Sequence, residues 1–177
     1  MDTKDTLQRF EGVAERYLRE LEAFSMEQLT YKPADAVWSL GQMYLHLIQS
    51  AIYMQLRNLE ACRAADQANM GEGEKTPLGE AVFSQGSFPP IKIQVPPSKE
   101  YTPQQPESKE QLVKGIRQVI QRMREIEPTL ASIPTGSATP HPALGSLNAA
   151  EWFLLVEMHY RHHLRQLAEL KTTLAAT

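Results

Sequence analysis

Four stretches of this chain repeat apolar residues every three to four positions over about twenty residues each, and no segment alternates with period two. The first runs from about Thr3 to Phe24, with Leu7, Phe10, Val13, Ala14, Tyr17, Leu18, Leu21 and Phe24 on one face. A loop from Ser25 to Trp38, containing Pro33, separates it from the second. There Ser39 followed three positions later by Gln42 has the form of a capping box, so a helix starting at Leu40 carries Met43, Leu47, Ala51, Met54 and Leu59 and ends before Gly71. Ser108 with Gln111 caps a third stretch carrying Leu112, Val113, Ile116, Val119, Ile120 and Met123, and Pro128 follows it. After a loop with Pro134, Pro140 and Pro142, Asn148 with Glu151 opens the fourth, Ala149 to about Leu174.

Four such helices with one long connection predict an all-α four-helix bundle with a crossover between helices 2 and 3. The connection, Gly71 to Glu107, holds Gly71, Gly73, Gly79 and Gly86, then Pro89, Pro90, Pro96, Pro97, Pro103 and Pro106, which is too dense in proline for helix. Phe88, Ile91, Ile93 and Val95 within it predict an ordered segment packed along the bundle, because long structureless connections are uncommon in compact domains.

Composition narrows the class. The chain has 177 residues, 42% of them hydrophobic, and no uninterrupted apolar run long enough to span a bilayer, so a single domain over residues 1–177 with no membrane partner is expected. The start Met1-Asp2-Thr3-Lys4-Asp5 lacks the basic and apolar regions of a signal peptide, and the single Cys62 cannot form an internal disulfide; both suit a cytoplasmic protein. The net charge is −3, with 18 Lys and Arg interspersed among 21 Asp and Glu, so nucleic acid is not expected as a partner.

Three of the five histidines, His159, His162 and His163, fall within five residues of the fourth stretch. Residues four apart share a helix face, so His159 and His163 can aim two imidazoles at one point. The apolar stripe Trp152, Leu155, Val156, Leu167, Leu170 centres near both, whereas His162 lies roughly 80° to one side at about 100° per residue. Two histidines on a buried stripe read as half of a metal site, the alternative being core histidines bonded to backbone or carboxylate. His46, about two turns into the second helix, is the candidate third ligand.

Around these residues the chain resembles the DinB/YfiT-like superfamily of metal-binding four-helix bundles, which includes thiol-dependent S-transferases. The resemblance rests on Lys32-Pro33 to Trp38-Ser39, His46-Leu47, His141-Pro142-x-x-Gly145-x-Leu147, Glu151-Trp152, and His159-x-x-x-His163-x-x-Gln166, and it covers nearly the whole chain. It implies a divalent metal held by one histidine of the second helix and two of the fourth, here His46, His159 and His163, and it implies pairing into a homodimer. Three imidazoles suit zinc or nickel and leave positions open, the pattern of a catalytic site. An open position admits a thiol, deprotonated by the metal, or water brought to a pKa of about 7.

The leading expectation is therefore a transferase that activates a low-molecular-weight thiol towards a small electrophilic substrate. A metal-dependent hydrolase and a non-catalytic metal- or small-molecule-binding bundle are the alternatives, since no general base stands beside the three ligands. Glu157 falls on the far side of its helix by the same angular estimate and is not nominated. Arg161 and Arg165 read as solvated helix-face charges that could alternatively hold a substrate carboxylate. Gln166, one turn beyond His163, is placed to orient a ligand imidazole. Trp38 and Trp152 read as packing residues at the bundle end, His141 as exposed or structural, and Cys62 as a buried apolar residue.

Overall fold

Asp2 caps the first helix, α1 (Thr3–Glu22), by accepting from the backbone N–H groups of Lys4 and Asp5, and the helix buries Thr6, Phe10, Ala14, Tyr17 and Leu21. This computed structural model describes residues 2–64, 73–89 and 102–176. A short helix, α2 (Met26–Thr30), lies inside the segment expected to be loop; Ser25 and Gln28 form its capping box, but five residues are too few to carry a readable period.

The expected reciprocal box of Ser39 and Gln42 starts α3 (Leu40–Gln49). A π-helical turn, Ser50–Gln55, joins it to α4 (Leu56–Ala64) without a break. The buried positions Tyr44, Leu47, Ala51, Gln55, Leu59 and Cys62 explain that turn. Three successive steps of four advance an α-helical stripe by about 40° each, and the wider π turn takes up the drift so that one face stays buried.

The connection to the third long helix departs from expectation. Pro77–Gln85 is a helix, α5, with Thr76 accepting from Gly79 N–H, Pro77 in the first turn, and Gly86 closing it at φ 62°. These are ordinary start and stop signals, a proline in the first turn and glycine at the C-terminal end, hidden in a segment read by its overall proline content. Ile91, Ile93 and Val95, expected to pack along the bundle, lie outside the described residues.

Ser108 caps α6 (Lys109–Ile126), and Gln111 returns its side chain to Glu107 N–H. A 3-10 turn, Glu127–Ser132, follows with Pro128 at its start. The loop that holds Pro140 and Pro142 is a β-hairpin, β1 (Ala138–His141) and β2 (Gly145–Asn148), whose two four-residue strands are too short to show alternation. The full capping box of Asn148 and Glu151 then opens α7 (Ala149–Ala175).

The long helices form a ring: α1 packs on α6 and α7, α7 packs on α3 and α4, and α3 closes on α6. Gly115 permits that closure, since a Cβ there would stand 2.7 Å from Ile48 Cδ1. Two tyrosines tie the helices together through backbone carbonyls that already serve helical bonds: Tyr44 Oη donates to Tyr17 O, and Tyr17 Oη to Tyr160 O, each at 2.9 Å. Their rings pack edge to face, with Tyr17 5.5 Å from Tyr44 and 5.7 Å from Tyr160. Among the described residues no helix is long and apolar enough to cross a membrane.

Gly145 locks the hairpin against the segment before α5. At φ 82° it sits in the left-handed region, and a Cβ would lie 2.4 Å from Glu74 O and 2.7 Å from Thr76 N, both backbone atoms. Gly145→Ala is therefore expected to lower stability by about 2–4 kcal/mol in urea denaturation, from backbone strain together with overpacking. Gly12→Ala, at an exposed position of α1 with nothing within 4 Å, is expected to raise it by about 0.5–1 kcal/mol.

Candidate metal centre

From Trp152 to Met158, α7 is buried on every side, so each polar group in or beside that stretch must find a partner within the protein. His159 meets two. Its Nε2 stands 3.0 Å from His46 Nε2 and 3.1 Å from His163 Nε2, and the three ring centroids are 4.7 to 5.0 Å apart. His159 and His163 are one helical turn apart on α7. His46 reaches them from α3, where the Ser39 cap sets the phase of the helix.

The protonation pattern suits a cation. His163 Nδ1 lies 2.7 Å from Gln166 Oε1, an acceptor, so Nδ1 carries the proton of the neutral ring and Nε2 presents a bare lone pair to the centre. Only one of the two close Nε2 contacts can then contain a proton. Meanwhile His159 Nδ1 is buried with no hydrogen-bond partner among the described residues. The other contact sets lone pairs or protons face to face, an arrangement that a positive charge between the nitrogens would relieve.

Spacing agrees with that reading. Nitrogens about 2.0–2.1 Å from a common ion stand roughly 2.9–3.4 Å apart for inter-ligand angles of about 90–110°. The observed 3.0 and 3.1 Å fall in that range. The three residues form the group of His, Cys, Asp and Glu side chains among the described residues that could hold a metal ion, and no carboxylate joins them.

Burial prepares the rings for this role. Desolvation, with the neighbouring imidazoles adding to it, pushes the His46 pKa down to about 3, holds His159 well below its ordinary value, and brings His163 to about 4 despite the opposing bond to Gln166. All three are neutral at pH 7 and available as ligands. The ring of Trp38 lies 4.9 Å from that of His46, so Trp38 lines the site instead of only packing at the bundle end. Phe88 lies 6.4 Å from the His159 ring and 5.4 Å from that of His162.

His162 stays out of the group, as its angle on the helix predicts. It faces a cavity of about 160 Å³ lined also by Ser87, Phe88, Met158, Arg161 and Arg165. Arg161 is not a solvated charge. Its Nε and Nη2 donate to both carboxylate oxygens of Glu157, at 2.8 and 3.0 Å, and Nη2 also donates to Gly86 O at 2.6 Å. Glu157 is fully buried, because the far side of α7 at this level is protein and not water. The pair pins the end of α5, and so Phe88, to α7.

The other nominated residues take structural places. His141 Nδ1 accepts from the N–H groups of Ala143 and Leu144, closing the hairpin turn. The buried Trp152 donates from Nε1 to Thr139 Oγ1. Cys62 is buried, and desolvation raises its thiol pKa, which disfavours a nucleophilic role.

The family model of the DinB superfamily matches residues 9–167, which takes in α2 to α6 and most of α1 and α7. The chain belongs to the DinB superfamily. The match spans His46, His159 and His163 together, so the triad sits within the family's own domain and not on an appendage. No curated protein and no solved structure matches the chain significantly.

Two outcomes are expected. Gln166→Ala frees the His163 ring to rotate and should weaken metal affinity roughly 10–100-fold, measured by competition with a chelator. For metal-free protein, the folded histidines titrate near 3 and 4, whereas unfolded ones titrate at about 6.5. Below pH 6.5 the unfolded state thus binds more protons, and stability falls as pH falls, by about 1.4 kcal/mol per pH unit for each histidine. Urea midpoints measured from pH 7 to 4.5 should drop steeply, and less steeply in His46→Gln.

Proposed function

We propose that this DinB-superfamily chain is a metal-dependent transferase: His46, His159 and His163 hold a divalent ion, zinc or nickel, beside which a low-molecular-weight thiol is activated and passed to a small electrophile. The observation that carries the proposal is the convergence of three Nε2 atoms within 3.0–3.1 Å contacts on a site walled by Trp38 and Phe88. An ion held there supplies Lewis acidity, which deprotonates a coordinating thiol at neutral pH.

The chain's own residues do the rest. Three neutral ligands leave the full charge of the ion available to a thiolate, where a carboxylate ligand would offset part of it. Gln166 fixes the tautomer and plane of His163, and Ser50 Oγ, 3.4 Å from His46 Nδ1, stands behind the third ring. Trp38 and Phe88 set aromatic rings against His46 and His159. The carboxylates of α7 are engaged elsewhere, Glu157 with Arg161, Glu169 with Arg165 and Glu151 with Lys75. With no carboxylate beside the triad, deprotonation of a bound nucleophile would rest on the ion itself.

The test is conjugation of a thiol to a chromogenic aryl halide: a sulfur–carbon bond forms, halide leaves, and the thiol proton goes to solvent. Zinc- or nickel-loaded protein should accelerate the reaction by at least about 100-fold over metal-free protein, or about 3 kcal/mol of barrier, and His159→Ala should abolish the gain. Metal-dependent ester cleavage without thiol would support the hydrolase alternative instead. Stable metal binding with no turnover of either kind would leave a binding protein.

A further inference from the structure

The cavity beside the triad has a donor set with no acid in it. Met158, Arg161, His162 and Arg165 follow one another at i, i+3, i+4 and i+7 on α7, a stripe parallel to that of His159, His163 and Gln166. Ser87 and Phe88 close it from the end of α5. Every polar side chain in the lining is a hydrogen-bond donor: a hydroxyl, an imidazole and two guanidiniums.

Arg161 is the organised member. Glu157 and Gly86 O occupy its Nε and Nη2, which fixes the plane of the guanidinium, while the two Nη1 hydrogens have no partner among the described residues. Its side chain remains 40% exposed although Glu157 beneath it is fully buried. A guanidinium already held in place loses little entropy on binding an oxyanion. Arg165, half-exposed and paired with Glu169 at 3.4 Å, adds a second cation one turn along.

Size sets the ligand class. The cavity of about 160 Å³ is half open to solvent and admits a small carboxylate with a few carbons. Phe88 and Met158 supply apolar surface for those carbons. The same Phe88 ring lies 5.4 Å from His162 and 6.4 Å from His159, so the cavity and the triad share one wall.

We infer that this cavity is a carboxylate-binding subsite, with Arg161 Nη1 and Arg165 as the anion-binding groups, and that one of the two co-substrates is a small organic acid. The subsite itself is independent of any bound metal; only the assignment of the carboxylate to a co-substrate rests on the thiol-transfer reading.

Isothermal titration of the full-length chain with propionate, against chloride at equal ionic strength, tests it. Binding in the millimolar range is expected, weakened about tenfold or more in Arg165→Gln and in Arg161→Lys. Arg161→Lys keeps a cation for Glu157, and urea midpoints check that both variants fold. His46→Ala should bind propionate like the wild type, so failure of the metal centre and failure of the subsite read out separately. Affinity that is unchanged in both arginine variants, or no binding beyond that of chloride, overturns the inference. On zinc-loaded protein, tighter binding of 3-mercaptopropionate than of propionate or 2-mercaptoethanol assigns the carboxylate to the thiol. Equal affinities of 3-mercaptopropionate and propionate assign it to the electrophile.

Discussion

Burial of α7 on all sides from Trp152 to Met158 is the constraint on which the fold and the site both depend. A helix enclosed in this way gains from its apolar residues, and Trp152, Phe153, Leu155 and Val156 are all at 1% exposure or less. It also leaves no water for polar groups. Glu157 answers with a two-pronged pair to Arg161, which reaches outward to a half-exposed position. His159 answers by facing His46 and His163, with its own Nδ1 left unpaired. One helix thus carries a solved polar problem and, two residues later, one that a cation would solve.

The same burial links structure to chemistry. Desolvation that would penalise a protonated imidazole keeps three rings neutral, and neutral rings are metal ligands. The cost is borne by the surrounding core, including the tyrosine bonds from α3 to α1 and from α1 to α7 that hold the histidine-bearing helices in register. Rigid helices with packed neighbours position first-contact groups more accurately than loops do.

Much of this was legible in the residues because helix caps and helix stripes are local. Ser39 with Gln42, Ser108 with Gln111, and Asn148 with Glu151 mark helix starts at the observed positions, and the one-turn spacing of His159 and His163 fixes their common face. What escaped was short or depended on neighbours. The helix α2, the hairpin strands and α5 are each shorter than the window in which a period shows, although Thr76-Pro77 and Gly86 carried the signals for α5. The π turn was encoded in the repeated spacing of four from Leu47 to Leu59. Glu157 does stand apart from the triad, but an angular estimate names the far side of a helix without saying what covers it; here the cover is protein, and Arg161 meets the carboxylate from a half-exposed position. No periodicity could have put Trp38 and Phe88 beside the histidine group, since both reach it from outside the long helices.

Metal content by elemental analysis of untagged protein tests the central claim most directly, compared across the wild type and the single alanine variants of His46, His159, His162 and His163. The account predicts about one divalent ion per chain in the wild type and in His162→Ala, and loss of the ion in the other three. A folded wild-type protein that takes up no added zinc or nickel, or an ion retained in His46→Ala and His163→Ala, would contradict it.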